Sequence, residues 1–170
     1  MAEGATALIS VGLAGGLDPA LPAGAVIVPE YVIDDSTRYP TDPALSAWLA
    51  GRPPQGGVCA RPAAIATASG KTAIWAETGC AAVDLESGAV ARAAIRARLP
   101  FAVLRVVCDP AGRDLPPAAL AALDVSGTIA PVRIVASLAA RPGQIGALLR
   151  LAVDAAAARR ALRQRLRALA

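Results

Sequence analysis

The chain has 170 residues, enough for one domain with a real core, and at 55% hydrophobic and 18% charged residues it is too apolar to be disordered over most of its length. The net charge of +4 is uneven: six arginines (150, 159, 160, 163, 165 and 167) against Asp154 concentrate it between Arg150 and Ala170, leaving a slightly acidic body, which excludes nucleic acid as the principal ligand. No histidine is present, and Cys59, Cys80 and Cys108 lack metal-ligand spacing, which excludes a zinc site and Ser-His or Cys-His pairs.

Taken in chain order, Thr6 to Val11 predicts a buried strand, and Gly12-Leu13-Ala14-Gly15-Gly16 predicts a glycine turn after it. A second turn, Asp18 to Gly24, leads to a strand over Ala25 to Val28. The polar, Pro- and Gly-rich stretch Asp34 to Gly57 predicts a long loop with one short helix near Ala44 to Ala50. Cys80 to Leu85 reads as a strand. Ser87 to Leu99 reads as a helix with Ala91, Ile95 and Leu99 inward, Arg92 and Arg96 outward, and Pro100 as its stop. Phe101 to Cys108 is then a strand, expected parallel to the preceding one because a helix of that length is the usual right-handed crossover. Helical segments follow near Pro117 to Leu123 and Pro131 to Ala139, and a long amphipathic helix runs from about Gln144 to Ala170. In that helix Leu162, Leu166 and Leu169 follow i, i+4, i+7 spacing, and Arg159, Arg163 and Arg167 form a separate stripe. Such a helix either lies on an anionic membrane or packs on its own domain with a solvated basic face, the second being the commoner arrangement. No stretch reaches the roughly 18 to 20 apolar residues of a span, and no basic-then-apolar leader opens the chain, so a cytoplasmic location is expected. One domain over residues 1–170, without internal repeats, is the expected organisation.

Three segments stand where an apolar run gives way to a loop: Gly12 to Gly16, Val83-Asp84-Leu85-Glu86-Ser87, and the strand ending at Cys108-Asp109-Pro110. Open α/β sheets bind ligands at the carboxyl ends of their strands. Backbone N–H groups of a glycine turn suit an anion, and carboxylates at the ends of neighbouring strands would lie on the order of 5–10 Å apart, able to hold a polar substrate and exchange a proton. Each has a plainer reading when taken alone. A glycine cluster is more often a tight turn, Glu86 suits a helix start, and Asp109 suits a turn before Pro110. Arg105 is a poor catalytic candidate by strand alternation, and Cys108 reads as a small buried residue.

In these segments the chain resembles the purine nucleoside phosphorylase and methylthioadenosine nucleosidase superfamily. The matching elements are Val11 to Pro19 with Gly24 to Val28, Val83 to Ser87, and Leu104 to Asp109. Gly15-Gly16-Leu17-Asp18-Pro19-Ala20-Leu21, Asp84 to Ala91, Leu115 to Leu120 and Arg141-Pro142-Gly143-Gln144 are most similar to the hopanoid-associated phosphorylases, which are thought to remove adenine from adenosylhopane. The resemblance implies a three-layer α/β/α fold with a mixed central sheet, and cleavage of the N-glycosidic bond of an adenine nucleoside by phosphate or water. A soluble methylthioadenosine or adenosylhomocysteine nucleosidase is one alternative, and a catalytically silent chain another.

It further implies that Asp109 is the acid that protonates or hydrogen-bonds the departing purine. By the same resemblance Glu86 holds the ribose diol, Leu85 lies under the sugar, and the backbone of Ala14 and Gly15 lies against the base. Gly12 and Leu13 are the candidates for phosphate. No cofactor and no metal are expected, with inorganic phosphate as the co-substrate of a phosphorylase. Expected partners are the nucleoside, with a hopanoid tail in the narrower reading, a peripheral inner-membrane contact and a homo-oligomeric assembly. Two departures from the family pattern are visible. A Ser-Gly-Asp element expected before the acidic strand corresponds roughly to Arg61-Pro62-Ala63, and the chain starts just before the glycine-turn strand, so strands that relatives carry earlier are expected to be missing and the present chain to be marginal without them.

Overall fold

A computed structural model describes residues 4–122 and 140–169. Its centre is strand β7 (Phe101–Asp109), an almost uninterrupted apolar run because both of its faces are covered. Ala102, Leu104 and Val106 pack on Val28, on Leu49 of helix α1 (Pro43–Ala50) and on Ala158 of the long helix α5 (Ile145–Arg167). Phe101 and Val103 pack the other way, on Ala91 and Ala94 of helix α3 (Ser87–Ala97). Helices on both faces of one sheet give the expected three layers.

The sheet has seven strands, ordered β2-β7-β1-β6-β5-β3-β4. Strand β1 (Leu8–Gly16) runs parallel to β7, while β2 (Val26–Ile27) is antiparallel on β7's other side. Strand β6 (Ala82–Asp84) joins β1 antiparallel, at Gly15 and Gly16. Parallel strands β5 (Gly57–Ala60) and β3 (Tyr31–Asp34) extend the sheet, and β4 (Thr37–Pro40) closes it as the antiparallel arm of a hairpin with β3. The sheet is therefore mixed.

Local chemistry fixes the helix starts. Asp42 caps α1 by accepting from Leu45 N at 2.8 Å, with Pro43 just inside, and Thr67 caps α2 (Ala68–Thr78) by accepting from Gly70 N at 3.1 Å. Gly51 and Gly79 end these helices at φ 65° and 64°, where a side chain would be strained. A short helix α4 (Pro117–Ala122) follows β7.

Several expectations are corrected. Gly12 to Gly16 is not a turn but the second half of β1, and the extended backbone continues through it because its neighbours demand bare Cα positions. A Cβ on Gly12 would stand 3.0 Å from Arg105 Nη1, and one on Gly16 would stand 3.1 Å from Val107 Cγ1. Strands β6 and β7 are neither neighbours nor parallel: β1 lies between them, parallel to one and antiparallel to the other, so α3 is not a parallel crossover and their carboxyl ends do not point the same way. The expected loop Asp34 to Gly57 carries hairpin strand β4 along with the anticipated helix α1, and α2 and β5 are additional elements. On α3, Ala94 rather than Ile95 faces inward, Ile95 being 56% exposed, and the helix ends at Arg98 in the left-handed conformation before Pro100 is reached. The segment Pro131 to Ala139 lies outside the described residues, as does Leu123.

Candidate functional site

Gly15 is the meeting point. It pairs with Asp109 on β7 and with Val83 on β6, and a Cβ there would stand 3.3 Å from Val83 Cγ1 and 3.8 Å from Asp109 Oδ2. A register shift after Ala14 brings Asp109, rather than Cys108, opposite Gly15. The carboxylate thereby comes to lie over bare backbone.

Asp109 is buried and ion-paired at 2.6 Å with Lys71 Nζ, a lysine of α2 that is itself wholly buried. The same ammonium donates to Pro110 O at 3.1 Å and Arg113 O at 2.9 Å, so its three protons all have acceptors. Burial pushes the Asp109 carboxyl above its ordinary value, while the hydrogen bond and charge of Lys71 oppose that rise. The plainer role for Asp109, a cap on the turn before Pro110, does not describe this geometry.

The second group sits three residues back along β1, at Gly12. Arg105, wholly buried, ion-pairs with Asp84, donates to Ser10 Oγ at 2.7 Å and lies 3.5 Å from Glu86 Oε2. Glu86 is 67% exposed at its side chain and occupies the N-cap position of α3 without making a capping bond. Asp84 does that work by accepting from Ser87 N at 3.1 Å and Ser87 Oγ at 2.7 Å. Glu86 is thus tethered to a buried guanidinium yet open to a ligand. Leu85 beside it is 48% exposed. Ala14 is buried among Ile27, Val58, Ala82 and Val107, leaving its backbone as the part a ligand can meet, although its carbonyl already accepts from Cys108 Sγ at 3.5 Å.

Gly12 and Gly15 are three residues apart on β1, roughly 10 Å at strand rise. A cavity of about 330 Å³ opens beside Asp109, walled by Arg113, Asp114, Arg150 and Asp154, with Arg113 and Asp154 ion-paired across it. Another cavity of about 300 Å³, between Val26–Val28, Arg52 and Arg165, contains none of the candidate residues, and proximity to Asp109 favours the first. Among the described residues no cluster of His, Cys, Asp or Glu is suited to a metal ion.

The arrangement brings Gly15 to Asp109 and, through Arg105, Gly12 to Glu86. Sequence reasoning missed Lys71 and undervalued Arg105. The available signal was that Lys71 is the single lysine of a chain whose other basic residues are all arginine.

The Phosphorylase superfamily profile matches residues 1–128. No curated protein matches the chain. Among solved structures, the chain is similar to a protein from Weissella paramesenteroides described as a methylthioadenosine nucleosidase, at 24% identity and TM-score 0.59 over 64% of this chain and 60% of that one. It is also similar to the futalosine hydrolase of Helicobacter pylori, at 18% identity and TM-score 0.57 over 62% and 58%, respectively. A 5′-methylthioadenosine/S-adenosylhomocysteine nucleosidase from S. pneumoniae, solved with a transition-state inhibitor, matches at 20% identity and TM-score 0.56 over 63% and 57%. At these identities the likeness is one of fold, and the chain spans less than two thirds of the length of these structures.

Proposed function

The chain belongs to the phosphorylase superfamily, and from that we propose that it cleaves the N-glycosidic bond of an adenine nucleoside. The observation that carries the reading is the pair of carboxylates along β1: a buried Asp109 with a raised proton affinity at Gly15, and an open Glu86 held by Arg105 near Gly12.

Cleavage moves the bonding electrons to the purine and leaves oxocarbenium-like charge on the sugar. Asp109 supplies the proton that neutralises the leaving base. Glu86 accepts hydrogen bonds from the vicinal hydroxyls, and its charge favours the developing cation. Leu85 offers an apolar surface to the sugar, and the backbone of Ala14 and Gly15 offers an edge to the base. Water or phosphate completes the reaction at the sugar carbon. Within the described residues, β1 has its ladder partner over Leu8 to Ala14 only on β7, so Gly12 and Leu13 present an edge without a described strand partner, which supports the reading that phosphate binds along this edge rather than in a turn.

For the nucleoside itself, the segments similar to hopanoid-associated phosphorylases favour adenosylhopane, which would place the enzyme in the cytoplasm at the inner-membrane face, in hopanoid synthesis. The activities of two structural neighbours favour the second reading, methylthioadenosine or adenosylhomocysteine hydrolysis. The assembly is proposed as a homo-oligomer. Measuring adenine release from adenosylhopane, methylthioadenosine and adenosylhomocysteine, with and without inorganic phosphate, is the test. Release from the first, dependent on phosphate, is the expected result. Release from the other two alone moves the assignment to the nucleosidases, and no release from any nucleoside overturns it.

A further inference from the structure

We infer that Lys71 is the positioning residue of Asp109: its ammonium holds Oδ2 and compensates the negative charge left when the proton departs, so that Oδ1 faces the leaving base. This rests on the proposed glycosidic cleavage. A wholly buried lysine is rare unless paired, and this one is bound on three sides by a single short segment, Asp109 to Arg113. Two further bonds clamp the residues just after that segment to the start of α2, Leu115 N to Ala66 O at 2.7 Å and Ala68 N to Asp114 Oδ1 at 2.7 Å. Lys71 is the one fully buried residue of helix α2, whose half-buried Ile74 packs against the cluster of Leu17, Cys59, Cys80 and Val83.

No described residue hydrogen-bonds Oδ1 of Asp109. When the C–N bond breaks, its electron pair goes to the purine and the proton moves from Oδ1 to the base. Asp109 is left as a carboxylate, and the sugar carbon gains an oxygen from phosphate or from water, the latter losing a proton to solvent. Without a cation, a buried carboxyl would hold its proton too tightly to give it up. The charged groups facing Asp109 are Lys71 from α2, Arg113 from its own loop and Asp154 from α5, with the Cys108 thiol adjacent on β7 and Gly15 of β1 contributing only backbone. Arg113 is already ion-paired with Asp154. Lys71 is therefore the cation that answers to Asp109.

The test uses the full chain and two variants. Lys71→Gln removes the charge, and the ¹³C-carboxyl titration of Asp109 is expected to move up by about 1–3 pH units, with kcat for base release falling about a hundredfold and KM within about threefold. Lys71→Arg keeps the charge but cannot place it at the same point. Its titration is expected to stay near that of the unaltered chain while kcat drops about tenfold. Should Lys71→Gln not fold, the arginine variant still decides, since unchanged kcat in it overturns positioning. An unmoved Asp109 titration in a folded Lys71→Gln protein overturns the charge role. A wild-type chain that releases no base from any nucleoside refutes the cleavage reading alone, because the carboxyl titration reads the Lys71–Asp109 pair without turnover.

Discussion

Asp109 and Glu86 differ in burial, and in the proposed cleavage that difference suits them to different work. Burial raises the proton affinity of Asp109, and its protonated form is the one able to donate. That form is lost as pH rises through its pKa, so kcat is expected to fall on the alkaline side, with a midpoint above the ordinary Asp value of about 3.9. A kcat profile flat from about pH 4 to pH 9 would remove Asp109 as the donor. Asp109→Asn keeps the shape but has no proton to give at that strength, and about 10²–10⁴-fold in kcat should go with little change in KM. Glu86 is open to solvent and tethered only by Arg105, so in the proposed cleavage its contribution is to binding geometry. Glu86→Gln should therefore lower kcat/KM on ribosides more than on 2′-deoxyribosides, since only the former present the full diol. Equal losses on the two substrate series would reduce Glu86 to a structural carboxylate.

At the scale of elements, β1 explains both what the sequence shows and what it hides. The glycines between Gly12 and Gly16 are visible in the sequence, but glycine marks two different things: a turn needing unusual dihedrals, or a strand whose neighbours come too close for a Cβ. Here the second holds, and none of these glycines has positive φ. Only the positions of Arg105, Val83 and Val107 decide between them, and those are tertiary facts. Gly12→Ala tests this. Arg105 is fixed by Asp84 and Ser10 and has little room to yield, so a methyl at 3.0 Å should cost about 1–3 kcal/mol of stability and raise KM by displacing the guanidinium that holds Glu86. Denaturant unfolding with riboside kinetics checks it, and an unaltered midpoint would show that Arg105 is free to move. Elements with an amphipathic or wholly apolar pattern, α3, α5 and β7, are legible for the same reason that they are stable: they cover the core. Helix α2 is not, because its one buried side chain is a lysine, and β4 and β5 are four residues each, too short to show a period. Helix α3 has the length of a parallel crossover, yet β6 and β7 are not paired because β1, the first described strand of the chain, is inserted between them, a long-range pairing that local pattern does not reveal.

At the scale of the whole molecule, α5 links its two ends. Leu162 and Leu169, expected on an apolar stripe that membrane might take up, pack with Ala161 against the core cluster of β7, and of that stripe only Leu166 is well exposed, at 41%. Arg165 reaches across to the far end of α1, where Nε donates to Leu49 O at 2.5 Å and Nη2 to Trp48 O at 3.1 Å, satisfying carbonyls that a helix end leaves open. Outward over its second half are Arg159, Arg160, Arg163 and Arg167, which line one shallow groove, while Ile145, Leu149 and Val153 are exposed apolar residues of its first half. Removing Arg159 to Ala170 would therefore strip core contacts and the α1 cap along with the charge, and loss of vesicle binding by such a truncation would say nothing about the surface. Substituting Arg159, Arg163 and Arg167 together by Gln separates the two. Stability should change by no more than about 0.5 kcal/mol per site, as for exposed positions. A peripheral contact with anionic lipid, at about 1 kcal/mol per basic residue, should appear as salt-sensitive co-sedimentation of the unaltered chain that the triple variant loses. If the unaltered chain sediments equally with anionic and neutral vesicles, the basic face is a solvated surface and α5 serves the fold alone.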